Sequence, residues 1–168
     1  MATVYIAQGT NLGERTKNLA AAQALMPPDI RVDQKSPIYQ TAPWGFAEQP
    51  MFLNQVLSAE TDLSATHLLE RLQAIEKQVG RRPTFRYGPR LIDLDLLFYD
   101  QLLIKQPGLE LPHPRLQERA FVLRPLADIA PGLVHPRLQR SVRELLAALP
   151  PGELEGLELW PPQGPAGQ

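Results

Sequence analysis

The stretch "GPRLIDLDLLFYD", Gly88 to Asp100, constrains the fold of this chain more than any other. Its leucine, isoleucine, phenylalanine and tyrosine content reads as a strand over Leu91 to Tyr99. Side chains alternate between faces along a strand. Asp93 and Asp95 therefore share one face, while Ile92, Leu94, Leu96 and Phe98 are expected to point the other way into a core. Residues i and i+2 of a strand have Cα atoms roughly 6.5–7 Å apart. Two carboxylates at that range in a partly dry site repel, and one tends to keep its proton. Cations reverse that logic. Magnesium takes one or two carboxylates and completes its shell with water and phosphate oxygens, and two such ions can clamp a displacement at phosphorus. A polar sheet edge in water is the other reading of these aspartates, and the strand alone does not choose between them.

The preceding sequence sets this strand in a pattern. Thr3 to Gln8 reads as a strand, Gly9-Thr10-Asn11 as a turn able to cap a helix, and Leu12 to Met26 as that helix, stopped by Pro27-Pro28. Ile30 to Gln40 reads as extended with a break near Ser36-Pro37. Thr41 to Met51 reads as a loop carrying Trp44 and Phe46, and Phe52 to Thr61 as a second extended segment. Asp62 or Ser64 caps a helix over Ala65 to Val79, whose stripe Leu68, Leu72, Ile75 and Val79 recurs at spacings of three and four. Gly80 ends it. The order β-α-β-β-α-β predicts an α+β, ferredoxin-like core, an antiparallel sheet with two helices on one face. Beyond Asp100, helices are expected over Arg119 to Ala130 and Ser141 to Leu149, as a C-terminal helical extension, then a short strand within Leu154 to Trp160. Residues 1–160 are read as one domain and 161–168 as a disordered tail. "HPRLQ" occurs at His113 to Gln117 and again at His135 to Gln139, too short an echo for a repeat architecture.

Composition excludes several functions. The chain has 168 residues, enough for one domain with a core, and a net charge of -1, so no global charge recruits nucleic acid or anionic lipid. It has no cysteine, hence no disulfide, thiolate metal site or cysteine nucleophile. The N-terminus does not resemble a signal peptide, and no apolar run approaches the roughly 18 residues that span a bilayer. A cytoplasmic protein is expected. Of the 17 basic residues only Lys17, Lys35, Lys77 and Lys105 are lysine, and arginine's planar fork suits phosphate. Arg81, Arg82, Arg86 and Arg90 crowd a segment without an acid, shaped by Gly80, Pro83, Gly88 and Pro89, directly before the aspartate strand. A basic loop beside a carboxylate pair suits polyphosphate chemistry. Two rival readings stay open on these residues: a two-metal phosphohydrolase and a ferredoxin-like module presenting aromatics to RNA.

"RYGPRLIDLDLLFYD" resembles the signature of the 6-hydroxymethyl-7,8-dihydropterin pyrophosphokinase family. In the expected order, "YIAQGTNLG", "YQTAPWGFAEQPMFLNQV", "LLERLQAIEKQVGR" and "LPHPRLQERAFVLRPLADIAP" resemble other parts of that family. The resemblance implies transfer of pyrophosphate from ATP to the hydroxymethyl group of the pterin, with release of AMP, in folate biosynthesis. It implies that Asp93 and Asp95 hold two Mg²⁺ ions and that Arg81 and Arg90 serve catalysis. It assigns ATP to Gln73, Glu76, Arg82, Arg86, His113 and Arg119. It assigns the pterin to Thr41, Ala42, Pro43 and Trp44, to Phe52 and Phe121 as stacking rings, and to Asn54. It implies a monomer working on small molecules, without nucleic acid or membrane. Gly108, Glu110 and Pro114 depart from residues that some members carry there. His135 lacks the Arg-Ala-Phe that follows the first "HPRLQ" copy and is assigned to structure.

Overall fold

The alternation in the N-terminal half becomes one antiparallel sheet. The computed structural model describes residues 1–41, 50–80 and 91–162. Its elements begin β1 (Ala2–Thr10), α1 (Arg15–Ala24), β2 (Ile30–Lys35), β3 (Ile38–Thr41), β4 (Phe52–Thr61), α2 (Ala65–Val79) and β5 (Asp93–Tyr99). They continue with a small hairpin, β6 (Ile104–Gln106) and β7 (Leu109–Leu111), then α3 (Ala120–Ile129), α4 (Val142–Ala147) and β8 (Glu158–Trp160). The main sheet runs β5-β1-β4-β3-β8, with β2 also pairing with β4. This is the expected β-α-β-β-α-β order, its second strand split in two. Pro37 has no N–H for the ladder. Ser36 bridges the break instead: its N–H donates to the Val56 carbonyl and its hydroxyl accepts from the Val56 N–H, both at 2.9 Å.

Helix α2 forms where its signals lie. The Ser64 hydroxyl accepts from the His67 N–H at 3.2 Å, and Gly80 ends the helix at φ 112, a left-handed conformation that favours glycine. Its stripe Leu68, Leu72 and Ile75 is fully buried with Leu19 and Ala22 of α1 against Val4, Ile6, Leu53, Leu57, Leu94 and Leu96 of the sheet. Truncating any of these leucines to alanine costs about 2–5 kcal/mol. Helix α1 is shorter than Leu12 to Met26, because Gly9 and Thr10 continue the strand and Gly13 takes a left-handed φ of 72.

One expectation is corrected and another is extended. Helices α1 and α2 share the first face, as expected, and the C-terminal helices cover the second. Val122, Leu123 and Leu126 of α3, with Val142 and Leu145 of α4, cover Val56, Leu97 and Phe98 on the second face. Phe98 also lies on that second face, not the first. The register shifts between Tyr5 and Ile6: Ile6 faces Leu96 and Tyr5 faces Phe98, so Leu97 is an extra residue. Such a bulge turns two successive side chains to one side. Beyond it Tyr99 returns to the first face, where its hydroxyl donates to the Leu63 carbonyl at 2.6 Å.

Candidate active site

Strand register assembles the site. Asp93 faces Gly9 of β1, and Gly9 faces Asn54 of β4 on its other side. Asp95 faces Ala7 in the same way. Leu97 and Val56 point to the second face, so alternation places Asp93, Asp95, Asn54 and Phe52 there too. Val56 and Leu97 are buried, whereas Phe52 and Asp93 are half-buried and Asp95 is exposed. The cover of the second face therefore thins toward the end that carries the polar groups. Only small side chains lie between the carboxylates and β4. A Cβ on Gly9 would come within 3.3 Å of Asn54 Oδ1 and 3.8 Å of Phe52. Gly9 thus opens a gap whose far wall is an aromatic ring and an amide oxygen.

The acceptor-side residues are tied to one another. Asn54 Nδ2 donates to Thr41 Oγ1 at 2.8 Å, and Thr41 pairs with Phe52 in the β3–β4 register. Thr41 and Phe121 line one cavity of ≈ 250 Å³, together with Arg119. The Arg119 guanidinium lies 5.6 Å from the centre of the Phe121 ring, within cation–π range.

The expected nucleotide-side residues divide. His113 docks on the outer edge of β5, its N–H donating to the Leu97 carbonyl at 2.9 Å. Its Nδ1 accepts from the Arg115 N–H at 3.2 Å, which leaves the proton on Nε2. Burial lowers its pKa to about 4, assisted by Arg119 and Arg115 and opposed by Glu110. His113 is therefore a neutral donor at pH 7. Gln73 lies exposed on α2. Glu76 is buried, and its Oε2 accepts from the Leu94 N–H at 2.8 Å, the amide between the two aspartates. Arg81, Arg82, Arg86, Arg90, Ala42, Pro43 and Trp44 lie outside the described residues. Gly108 sits in the β6–β7 turn at φ 80, a position where a longer side chain is strained.

Gly9-Thr10-Asn11 is not the expected turn: Thr10 and Asn11 are fully buried braces. Thr10 Oγ1 donates to the Leu91 carbonyl at 2.6 Å, beside the arginine segment, and Asn11 Nδ2 donates to the Pro50 carbonyl at 2.9 Å. Short polar residues after a strand predict a turn and a brace equally, so the pattern alone does not separate them. The echoed "HPRLQ" forms the same turn twice. Each histidine Nδ1 accepts from the N–H two residues on, and each glutamine amide donates to the proline carbonyl. His135 is fully buried with its ring edge-on to Phe98, as its structural assignment requires.

Among the described residues no group of three or more His, Cys, Asp or Glu could hold a metal ion. Asp93 and Asp95 offer an all-oxygen pair beside an open gap. That donor set fits a hard cation that completes its shell with water and phosphate.

A family model described as 7,8-dihydro-6-hydroxymethylpterin-pyrophosphokinase matches residues 5–131. A protein of Pseudomonas aeruginosa named 2-amino-4-hydroxy-6-hydroxymethyldihydropteridine pyrophosphokinase is 44% identical over 160 residues, 94% of this chain and 96% of its own. One of the same name from Aquifex aeolicus is 38% identical over 144 residues, 86% of this chain and 90% of its own. The crystal structure titled Plasmodium falciparum HPPK-DHPS wild type with SDX-DHP superposes with a TM-score of 0.72 at 14% identity, over 95% of this chain and 47% of that longer chain, and so shares the fold. With the aspartate strand, its glycine gap and the amide–aromatic wall in place, this chain belongs to the 7,8-dihydro-6-hydroxymethylpterin-pyrophosphokinase family.

Proposed function

We propose that the two sides of the Gly9 gap are the two halves of a pyrophosphoryl-transfer site. Asp93 and Asp95 hold two magnesium ions with the phosphate tail of ATP, and Thr41, Phe52, Asn54 and Phe121 hold the pterin. The reaction follows from the family: pyrophosphate passes from ATP to the hydroxymethyl group of 6-hydroxymethyl-7,8-dihydropterin in folate biosynthesis. The pterin hydroxyl attacks the β-phosphorus, a new P–O bond forms, the bond to the α-phosphate oxygen breaks, and AMP leaves. The hydroxyl proton is released. Bound magnesium supplies charge neutralisation on the phosphates and a lowered pKa at the attacking hydroxyl.

One observation carries this reading, the row Asp93–Gly9–Asn54. Neighbouring strands lie about 4.7–4.9 Å apart, so the row spans roughly 10 Å between its outer strands. That distance accommodates a phosphoryl group meeting a hydroxymethyl carbon, and holding both in line replaces a costly encounter. The chain's own groups then have distinct tasks. Asn54 and Thr41 offer directional hydrogen bonds to a flat heterocycle, and Phe52 and Phe121 offer ring faces. His113 offers an uncharged Nε2–H to a phosphate oxygen, while Arg119 adds charge beside it. Arg81 and Arg90 assist the transfer, and Gln73, Glu76, Arg82 and Arg86 contact the nucleotide.

The comparisons support neither the phosphohydrolase nor the RNA-binding module. The reading takes the protein as a cytoplasmic monomer acting without nucleic acid. AMP release from ATP and magnesium, with and without hydroxymethyl-dihydropterin, tests it. AMP formation that depends on the pterin is expected, and Asp95→Asn is expected to lower turnover by several orders of magnitude while the far-UV spectrum is kept. Near-normal turnover in that variant removes the metal role.

A further inference from the structure

The family match ends at residue 131, yet the chain beyond it closes on the acceptor half of the site. After α4, Gly152, Glu153, Gly156 and Leu157 form one side of the cavity that Thr41 and Phe121 also line. The chain then reaches the sheet edge as β8, where Trp160 pairs with Ile38 and Glu158 with Gln40. Trp160 packs against the core cluster of the first face, behind the site. There the Arg15 guanidinium lies 4.8 Å from the centre of the Trp160 ring. Arg15 Nη1 donates to Gln40 Oε1 at 3.1 Å and to the Met51 carbonyl at 2.8 Å.

Those two acceptors are well placed to matter. Gln40 directly precedes Thr41, and Met51 directly precedes Phe52. One guanidinium at the start of α1 therefore ties together, from behind the sheet, the two strand ends that carry the acceptor residues. An arginine on a half-exposed surface loses much rotamer freedom when it is held in one pose. The indole face limits that freedom beforehand, and a planar guanidinium can stack and donate at once. The nucleotide side stands apart from this brace. Asp93, Asp95 and the His113 docking point belong to β5, at the opposite end of the strand order from β8.

We propose that β8, acting through Trp160 and Arg15, is a positioning element of the acceptor subsite. It sets the affinity for the pterin, and leaves ATP affinity and the chemical step nearly untouched. The inference rests on reading Thr41, Phe52 and Asn54 as acceptor residues. If Trp160 merely covered apolar surface, its loss would weaken the fold without favouring either substrate.

The test is steady-state kinetics with each substrate varied, together with equilibrium titration of hydroxymethyl-dihydropterin in the presence of a non-transferable ATP analogue. Arg15→Ala and Trp160→Ala are each expected to raise the KM and Kd for the pterin roughly tenfold, with KM for ATP and kcat within about twofold. The double variant is expected to be no worse than Arg15→Ala alone, since the two side chains act as one unit. Trp160→Phe keeps an aromatic face and is expected to shift pterin affinity only about threefold. If Trp160→Ala fails to fold, Arg15→Ala and Trp160→Phe decide the matter. Phe52→Ala serves as the control. A pterin KM raised by Phe52→Ala but unmoved by the Arg15 and Trp160 variants overturns the positioning role and leaves the acceptor assignment standing. Equal rises in both KM values, or a fall in kcat, assign the pair to general stability and overturn it as well. A pterin KM unmoved by Phe52→Ala removes the acceptor assignment, and the inference with it.

Discussion

Glu76 offers the sharpest test of how this site is held. Among the described strands β5 lies at the end of the sheet, paired with β1. Leu94 lies between the two aspartates, and its N–H donates to the Glu76 carboxylate at 2.8 Å. A hydrogen bond to a charged acceptor contributes about 1.5–3 kcal/mol, and a neutral one about 0.5–1.5 kcal/mol. Glu76→Gln keeps the shape and an acceptor, so the apo protein is expected to lose on the order of 1 kcal/mol. Glu76→Ala removes the acceptor and leaves a buried N–H unpaired, an expected loss of about 2–4 kcal/mol. For a chain of this size each kcal/mol lowers Tm by about 2–4 °C. Urea denaturation without nucleotide or metal is the assay, because a residue that acts only by contacting ATP leaves the empty protein's stability unchanged. In the same variants the magnesium concentration for half-maximal rate is expected to rise, since both carboxylates ride on the loosened strand. An apo stability unchanged within about 0.5 kcal/mol, with a raised KM for ATP, would refute the bracing argument and make Glu76 a nucleotide contact alone.

Three further outcomes follow from the geometry. Gly9→Ala places a methyl group 3.3 Å from Asn54 Oδ1, so a raised KM for the pterin is expected with the fold intact, and unchanged pterin kinetics would contradict the shared gap. His113→Asn keeps a short acceptor for the Arg115 N–H and loses the Nε2 proton, so a folded protein with weaker ATP binding is expected by calorimetry. Acid stability gives a signed prediction. The folded-state pKa of His113, about 4, lies below the unfolded value of 6.5, so the folded state binds fewer protons between these values. Its contribution is fully present above pH 6.5 and is lost as pH falls through about 4. Burial lowers His135 in the same direction, so His113→Asn is expected to flatten the acid limb of the stability curve without abolishing it.

Local signals carried much of this molecule. The stripe at Leu68, Leu72 and Ile75 with Ser64 and Gly80 at its ends predicts α2 with its observed bounds, because helix periodicity and caps act within a few residues. Phe52 to Thr61 forms β4 as read, and Ser36-Pro37 breaks the neighbouring strand where expected. The two aspartates share a face because alternation is a property of the strand itself. The hairpin β6–β7 escaped notice, since two three-residue strands carry too little pattern to register.

What the sequence determined by itself is the elements of the β-α-β-β-α-β core, their order, and the family resemblance carried by "GPRLIDLDLLFYD". Those depend on spacing along the chain, which short-range physics reads directly. Tertiary structure alone decided who meets whom: Asp93 across Gly9 from Asn54, Glu76 on the amide between the aspartates, Arg15 between Gln40 and Met51. Phe98 shows why. A single extra residue at Leu97, tolerated by the pairing with β1, turned a ring to the opposite layer. Strand register and side-chain reach across tens of residues are fixed by packing of the whole sheet, and no local pattern encodes them.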